Sequence, residues 1–132
     1  MTPPDPAPSA SIRRYEVRAQ TTRTFGRVLA TARDQHFVVD GPVQNGCPGE
    51  APTPAELFLS GVASCGAELL QVIAKEQGVP LGSVDITVAG IVDRGRQPRT
   101  DATVFTSVRI DIVLTQTDGA RAAALVEAFK AR

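Results

Sequence analysis

Two cysteines, one histidine and several arginines are the residues of this 132-residue chain that could do chemistry. Cys65 lies among small residues, in Val62-Ala63-Ser64-Cys65-Gly66-Ala67, where another backbone or a ligand can approach closely. A free cysteine is most often a small buried hydrophobe, and this interpretation stands beside a reactive one. A thiolate on an apolar helix face requires a nearby cation, and an arginine is the expected one.

Other classes of site have little support. His36 is the sole candidate for a Cys/His nucleophilic pair, but a strand histidine beside Phe37 is expected to be solvated or packed. Cys47, Cys65 and one histidine are too few for a four-ligand zinc site. No Gly-rich loop matches a nucleotide fingerprint. Thiol chemistry without a metal or cofactor is the main candidate left.

The charge balance and the apolar segments limit the partners and the location. Fourteen basic residues match fourteen acidic ones, so no net field attracts nucleic acid or an anionic membrane. Polar residues interrupt the apolar stretch 57–74, whereas a membrane span needs about 20 mostly apolar residues. Residues 1–11 carry four prolines but no secretory signal pattern. We expect a disordered tail at residues 1–11 and a soluble, cytoplasmic protein with a small or neutral partner.

A long helix is predicted around Cys65. Thr53-Pro54-Ala55-Glu56 offers a capping Thr, a Pro at the first helical position and a Glu at the third, which together form a capping box. The apolar face continues to Ile73, and Gly78 ahead of Pro80 ends the helix. Such a helix has roughly 24 residues and a length of about 36 Å. Cys65 then lies about three turns from the start, too deep to feel the dipole at the amino end.

Strands are predicted before this helix. Segments 12–19 and 26–33 are rich in β-branched residues and arginines, and the polar segment 20–25 between them suggests a hairpin with a loose turn. His36 to Asp40 forms a third short strand. The stretch from Gly41 to Pro52 contains repeated Gly and Pro and no periodicity, so it is predicted to be a loop.

Two strands and a second helix follow. Val84 to Val88 and Ser107 to Ile112 alternate apolar and polar residues, as half-buried strands do, and they pair as antiparallel neighbours across the loop 93–101. Thr117 or Asp118 caps a helix whose apolar face is Ala122, Leu125 and Phe129. The order predicts one α+β domain over residues 12–132, with both helices packed on an antiparallel sheet.

The segment from Pro54 to Cys65 resembles the signature of the OsmC/Ohr family, in which Pro, an acid and Leu precede small residues and a cysteine. The resemblance extends to Asp40-Gly41-Pro42 before the helix and to Gly78-Val79-Pro80-Leu81 after it. It implies a domain-swapped homodimer with active sites at the subunit interface. There a reactive cysteine reduces an organic hydroperoxide in oxidative-stress defence, helped by an arginine and a glutamate.

The resemblance also assigns roles by position. Cys65 matches the peroxidatic cysteine, and Arg23 resembles the arginine of the first hairpin, with Arg27 as its rival. Glu56 would orient the arginine, although its capping role explains it equally. The organic hydroperoxide resistance branch has its acid directly after the proline, where this chain has Ala55, so the chain is nearer to the OsmC-like branch.

Helix geometry separates two of these residues. Nine positions place Glu56 and Cys65 about 180° apart and about 13.5 Å apart along the axis of one straight helix. If both serve one site, Glu56 comes from a second chain or acts through a bridging arginine. The spacing therefore favours an oligomer on that condition.

The second cysteine is the largest departure from the family pattern. In the hydroperoxide reductases a cysteine of the second helix resolves the sulfenic acid, and no cysteine follows Cys65 here. Either Cys47 resolves Cys65, or the sequence is a truncated product that lacks a cysteine and a last strand beyond Arg132. The alternative function is a non-catalytic, stress-associated ligand-binding domain of the same fold.

Overall fold

A computed structural model describes residues 3–4 and 11–132. The tail expected at residues 1–11 therefore lies largely outside the described residues. Two helices and two antiparallel sheets form the α+β fold that the sequence predicts. In chain order the elements are β1 (Arg18–Thr21), β2 (Arg27–Ala32), β3 (Gln35–Asp40), a 3-10 turn (Val43–Asn45), α1 (Pro54–Gln77), β4 (Val84–Ile91), β5 (Ser107–Leu114) and α2 (Gly119–Lys130).

These elements belong to two compact units. The N-terminal unit ends at Pro54 and contains the three-stranded sheet β1-β2-β3. The C-terminal unit, Ala55–Arg132, contains both helices and the two-stranded sheet β4-β5. The expectation of a single domain over residues 12–132 stays a prediction.

The first hairpin differs from the sequence prediction. A strand over residues 12–19 is wrong, because β1 spans only Arg18–Thr21. The chain reverses between Thr22 and Arg27, where the Thr22 N–H donates to the Arg27 carbonyl at 3.2 Å. From that reversal, antiparallel pairing extends only as far as Arg18 opposite Thr31. Residues 12–17 therefore have no partner in the sheet, however favourable their β propensity is.

The N-terminal unit buries little apolar surface. Ala30 and Val39 are its buried apolar residues among those described, and Asp40 beside them is fully buried. Phe37 and Val38 stay exposed although they lie in a central hairpin of the sheet. A three-stranded sheet needs a buried apolar face to be stable. This unit therefore presents apolar surface that a further contact would stabilise.

The central helix begins and ends where the sequence predicts. α1 spans 24 residues, from Pro54 to Gln77. At its end the Gly78 N–H donates to the Lys75 carbonyl and the Val79 N–H donates to the Ala74 carbonyl. Gly78 has φ of +64°, so these two bonds form a Schellman motif with glycine in the left-handed conformation.

An apolar core holds the C-terminal unit together. It consists of Leu70, Ile73 and Ala74 from α1 and Leu125 from α2. β4 and β5 are antiparallel, as predicted, with Val84 opposite Leu114 and Ile86 opposite Ile112. This register places the alternating apolar residues on one face of the ribbon, and that face packs against the core.

The second helix is capped by Asp118. The Asp118 carboxylate accepts a hydrogen bond from the Arg121 N–H at 2.8 Å, which satisfies one free donor of the first turn. The sequence left Thr117 and Asp118 as alternatives, and the structure selects the aspartate. Within the described residues, the buried Thr117 hydroxyl has no hydrogen-bond partner.

One helix, α1, is long and apolar enough to cross a membrane by length and composition alone. Its most apolar window is 22% buried within the chain. A central helix of a soluble protein meets the same criterion, so a single helix of this kind is weak evidence for a membrane.

Candidate active site

Cys65 is a free, exposed thiol in the middle of α1. The interpretation of Cys65 as a buried hydrophobe is therefore wrong for this chain. The next residue, Gly66, lies on the face of α1 that packs against other elements. A methyl group on Gly66 would lie 3.1 Å from Ile86 and 3.3 Å from Phe129. One residue rotates a helix by about 100°, so Cys65 points away from this contact.

The surface around Cys65 is open. One turn earlier is the exposed Gly61, and a methyl group there would meet no heavy atom within 4 Å. The Ser64 hydroxyl donates to the Ser60 carbonyl at 2.7 Å, so its proton is committed to the helix backbone. The positions one turn away, 61, 62, 68 and 69, contain no lysine or arginine. A cation that stabilises the thiolate must come from another element.

Glu56 and Cys65 cannot meet on α1. The helix is continuous from Pro54 to Gln77, so the rotation of about 180° and the rise of about 13.5 Å apply to it. Both residues are exposed, on opposite sides. Glu56 lines a small cavity of about 210 Å³ together with Leu59, Ser60, Ala63 and Val88.

Of the two candidate arginines, Arg27 has a structural role. Its guanidinium donates from Nε and Nη2 to the two carboxylate oxygens of Asp40, at 2.8 and 2.9 Å. These hydrogen bonds hold the pKa of Asp40 well below its usual range, against the opposing effect of burial, and they raise the pKa of Arg27. Arg23 is exposed in the β1–β2 turn and, among the described residues, forms no ion pair. The arginine left available is Arg23.

Asp40 also fixes the loop that follows β3. Its Oδ2 accepts hydrogen bonds from the backbone N–H groups of Glu50 and Ala51, at 3.0 and 2.9 Å. Its own N–H donates to the Pro52 carbonyl at 3.1 Å. The sequence patterns place Asp40 at a strand end and within the family resemblance, but they do not predict this role. The available signal was an acidic residue directly before Gly41-Pro42, a common position for a carboxylate that accepts from turn backbone.

Cys47 lies in the loop that Asp40 anchors. It is half-buried and free, and its side chain packs against Gly26 and Gly41. A methyl group on either glycine would overlap the Cys47 sulfur. Cys47 belongs to the N-terminal unit and Cys65 to the C-terminal unit, so resolution of Cys65 by Cys47 stays a prediction.

His36 is placed as the sequence analysis expects. It is exposed on β3, and its Nδ1 lies 3.0 Å from the hydroxyl of Thr31, its partner across the β2–β3 pair. This contact occupies one ring nitrogen. Across the part of the chain that the structure describes, no three His, Cys, Asp or Glu side chains form a group that could hold a metal ion.

Solved structures of several bacterial proteins resemble this chain. An OsmC-like protein from Mycoplasma pneumoniae matches with a TM-score of 0.76 and 14% identity, over 91% of this chain and 82% of that one. An organic hydroperoxide resistance protein from Elizabethkingia anophelis matches with a TM-score of 0.72 and 16% identity, over 92% and 84%. The organic hydroperoxide resistance protein OsmC from Legionella pneumophila matches with a TM-score of 0.70 and 21% identity, over 90% and 83%. At these identities the likeness shows the fold.

The sequence itself also matches a family. No curated protein matches the chain. The sequence model of the OsmC-like protein family matches residues 47–132, which include α1, the exposed Cys65 and the whole C-terminal unit. Because this match covers more than half of the sequence and agrees with the fold, the chain belongs to the OsmC-like protein family.

Proposed function

We propose that this protein is a cytoplasmic, thiol-dependent peroxidase that reduces organic hydroperoxides through Cys65, in oxidative-stress defence. The observation that carries the proposal is the exposed, free thiol in the middle of α1, bordered by small residues that leave room for a substrate. Two structurally similar proteins are named for organic hydroperoxide resistance. Family membership and a reachable thiol together favour this activity over other thiol chemistry.

The reaction needs no metal or cofactor. The Cys65 thiolate attacks the terminal peroxide oxygen, the O–O bond breaks, and the alkoxide leaves as an alcohol after taking a proton. Cys65 becomes a sulfenic acid. A thiol then attacks the sulfenic sulfur, which forms a disulfide and releases water. A second thiol reductant exchanges with that disulfide and restores the thiolate.

Arg23 and Glu56 have supporting roles in this proposal. Arg23 is the hairpin arginine without an ion pair among the described residues, so it is available to stabilise the thiolate and polarise the peroxide. Glu56 orients that arginine. Because Glu56 and Cys65 lie on opposite sides of α1, Glu56 serves the site of Cys65 either from a second chain or through the bridging arginine. The first arrangement requires a homodimer, which the family resemblance also implies, with exchange of elements between the two chains.

A second candidate function is a non-catalytic ligand-binding domain. It is favoured by an apolar groove of about 640 Å³ in the C-terminal unit, formed without any contribution from Cys65. Ligand binding would then be the function of the protein, and the Cys65 thiol would have no role in it. The two candidates differ in whether Cys65 reacts faster with a peroxide than an ordinary exposed cysteine does.

Mass spectrometry distinguishes them. The reduced protein is exposed briefly to near-stoichiometric cumene hydroperoxide or hydrogen peroxide, its free thiols are blocked, and the intact mass is measured. We expect rapid gain of one oxygen, or disulfide formation, that is lost in Cys65→Ser and kept in Cys47→Ser. Loss of the nucleophile should slow peroxide consumption by at least about 100-fold. If Cys65 stays reduced while both variants behave like the wild type, the protein is not a peroxidase.

The same measurement tests the role of Cys47. A product lighter by two hydrogens that disappears in Cys47→Ser identifies Cys47 as the resolving cysteine. A Cys65 sulfenate that persists until a small thiol is added identifies an external reductant. The matched arginine variants Arg23→Gln and Arg18→Gln follow, and only the first should slow oxidation of Cys65.

A further inference from the structure

The side chain of Thr22 closes the turn between β1 and β2. The Thr22 hydroxyl donates to the Arg27 carbonyl at 3.0 Å, and the same carbonyl accepts from the Thr22 N–H at 3.2 Å. Across the turn, the Arg27 N–H donates to the Thr24 carbonyl at 3.1 Å. The base of the turn is therefore joined by main-chain and side-chain hydrogen bonds together.

A further hydrogen bond of Thr22 encloses Arg23. The Thr22 Oγ1 accepts from the Thr24 N–H at 3.2 Å, and it lies 3.3 Å from the Thr24 carbonyl oxygen, an alternative acceptor for its proton. A threonine side chain that accepts from the N–H group two residues later forms an ST turn, which restricts the backbone of the residue between them. That residue is Arg23. The direction in which the Arg23 side chain leaves the turn therefore depends on the Thr22 hydroxyl.

Other contacts hold the opposite end of the same turn. The Gly26 carbonyl accepts from the Gly41 N–H at 2.8 Å, and the Cys47 side chain packs against Gly26. These contacts fix the end of the turn that leads into β2. The Thr22 hydroxyl acts at the other end, where Arg23 lies. The two ends of the turn are therefore held by separate groups, and one can be altered without the other.

We propose that Thr22 is a positioning residue for Arg23, and that its hydroxyl holds the arginine backbone in the conformation that the reaction uses. The inference rests on the proposed function, in which Arg23 polarises the peroxide that Cys65 attacks. An arginine side chain has many rotamers, and a fixed backbone reduces the entropy that is lost when the guanidinium is oriented. Thr22 itself contacts no reacting atom in this arrangement and acts only through Arg23.

The exposure of Thr22 separates this role from a contribution to the stability of the fold. Thr22 and Arg23 are both exposed. An exposed hydrogen bond contributes little to folding, because water replaces it when it is lost. The geometry of a catalytic group is more sensitive, since a misplacement of about 1 Å can slow a reaction by about 100-fold. Loss of the Thr22 hydroxyl should therefore change the reaction rate and leave the fold intact.

Amide hydrogen exchange, measured by NMR on the whole chain, tests the turn without any peroxide chemistry. The variant Thr22→Val keeps the shape of the side chain and removes its hydroxyl. We expect the Thr24 N–H to exchange several-fold faster in this variant, because it loses its acceptor. The Gly41 N–H is the internal reference and should keep its rate, because its acceptor is the Gly26 carbonyl. An unchanged rate at Thr24 would overturn the inference.

The rate of Cys65 oxidation by cumene hydroperoxide tests the effect on the reaction. Thr22→Val should slow it by about 10- to 100-fold, the range expected for a misplaced catalytic group. Thr22→Ser keeps the hydroxyl and should react close to the wild-type rate. The matched control is Thr24→Val, which removes a hydroxyl of the same turn that makes no hydrogen bond within the described part of the chain. This control should not change the rate, and circular dichroism should show the wild-type fold in all three variants.

The double variant Thr22→Val with Arg23→Gln shows whether Thr22 acts through the arginine. It should be no slower than Arg23→Gln alone, because a positioning residue has no effect once the group that it positions is gone. Two slowing factors that multiply, a wild-type rate in Thr22→Val, or an equal loss in Thr22→Ser would each overturn the inference. Failure of the proposed function is a different result: Cys65 of the wild type then stays reduced, and the positioning role is overturned with it.

Discussion

The two units of the chain are held together by different physical means. Among the described residues of the N-terminal unit, the most completely buried side chain is a charged one, Asp40. It joins β2, β3 and the following loop through Arg27 and backbone N–H groups. In the C-terminal unit, Leu70, Ile73 and Leu125 form an apolar core. Apolar burial is roughly proportional to area and tolerates small shifts, whereas a hydrogen-bonded ion pair depends on the position of each atom.

This difference matches what each unit contributes to the proposed site. The apolar core fixes α1 and therefore the direction in which Cys65 points. The ion pair fixes a loop and the hairpin that presents Arg23. In the proposed function, α1 supplies the nucleophile Cys65 and the first hairpin supplies Arg23.

Leu70→Ala should produce the largest change in stability. Leu70 is fully buried at the centre of the apolar core, so its truncation removes buried methyl groups and leaves a cavity. We expect the free energy of unfolding to fall by about 2–5 kcal/mol. The measurement is urea denaturation followed by circular dichroism. The control is Phe58→Ala, a change at a residue 62% exposed, which should cost much less.

An equal loss in Leu70→Ala and Phe58→Ala would contradict the assignment of the C-terminal unit's stability to its apolar core. It would mean that the face of α1 carrying Phe58 is buried against another surface in solution. The same denaturation at several protein concentrations detects this, because the stability of an obligate dimer depends on concentration.

The C-terminal unit is also the part that sequence patterns predict well. The start and end of α1 follow from local chemistry at Pro54 and Gly78, and the β4–β5 pair follows from strict alternation. The exposure of Cys65 does not follow. Apolar residues lie on more than one side of α1, so the sequence does not show which side packs against the core. Cys65 and Gly66 point about 100° apart around the helix axis, and Gly66 is the one that is buried.

The N-terminal unit is less predictable, because its structure depends on pairing between distant residues. The position of β1 is set by the reversal at Thr22 to Arg27, and β propensity alone extended the strand to Ile12. Arg27 and Asp40 are thirteen residues apart, and neither has a local pattern that identifies the other. The sequence therefore presented Arg27 as a catalytic candidate, and only the contact with Asp40 shows its structural role.

Gly41→Ala should destabilise the N-terminal unit through one contact. The backbone of Gly41 is not in the left-handed region, so alanine introduces no backbone strain, but its methyl group would overlap the Cys47 sulfur and lie 2.9 Å from the Cys47 Cβ. Overpacking of this kind costs about 1–3 kcal/mol. Removal of the sulfur by Cys47→Ala should restore part of the loss in the double variant, as measured by urea denaturation. Additive effects of the two changes would show that Gly41 and Cys47 are not in contact.

The smallest expected effect is the response of the loop that Asp40 anchors to a change of pH near neutrality. The ion pair with Arg27 lowers the pKa of Asp40 in the folded protein, below the value of about 3.9 for an unperturbed aspartate. A lowered pKa contributes stability that is fully present above the unfolded pKa and lost only as the pH falls toward the folded one. Protection of Cys47 from 4,4′-dithiodipyridine should therefore be constant from pH 7 to about pH 4 and decrease below it. The variant Asp40→Asn should expose Cys47 over the whole range.

The control is the reaction of Cys65 with the same reagent, measured in the Cys47→Ser background. Because Cys65 lies on a helix held by apolar contacts, adding Asp40→Asn should not change this reaction. A parallel change at Cys65 would mean that the two units are coupled through the ion pair, and the contrast between them would then be limited to their cores.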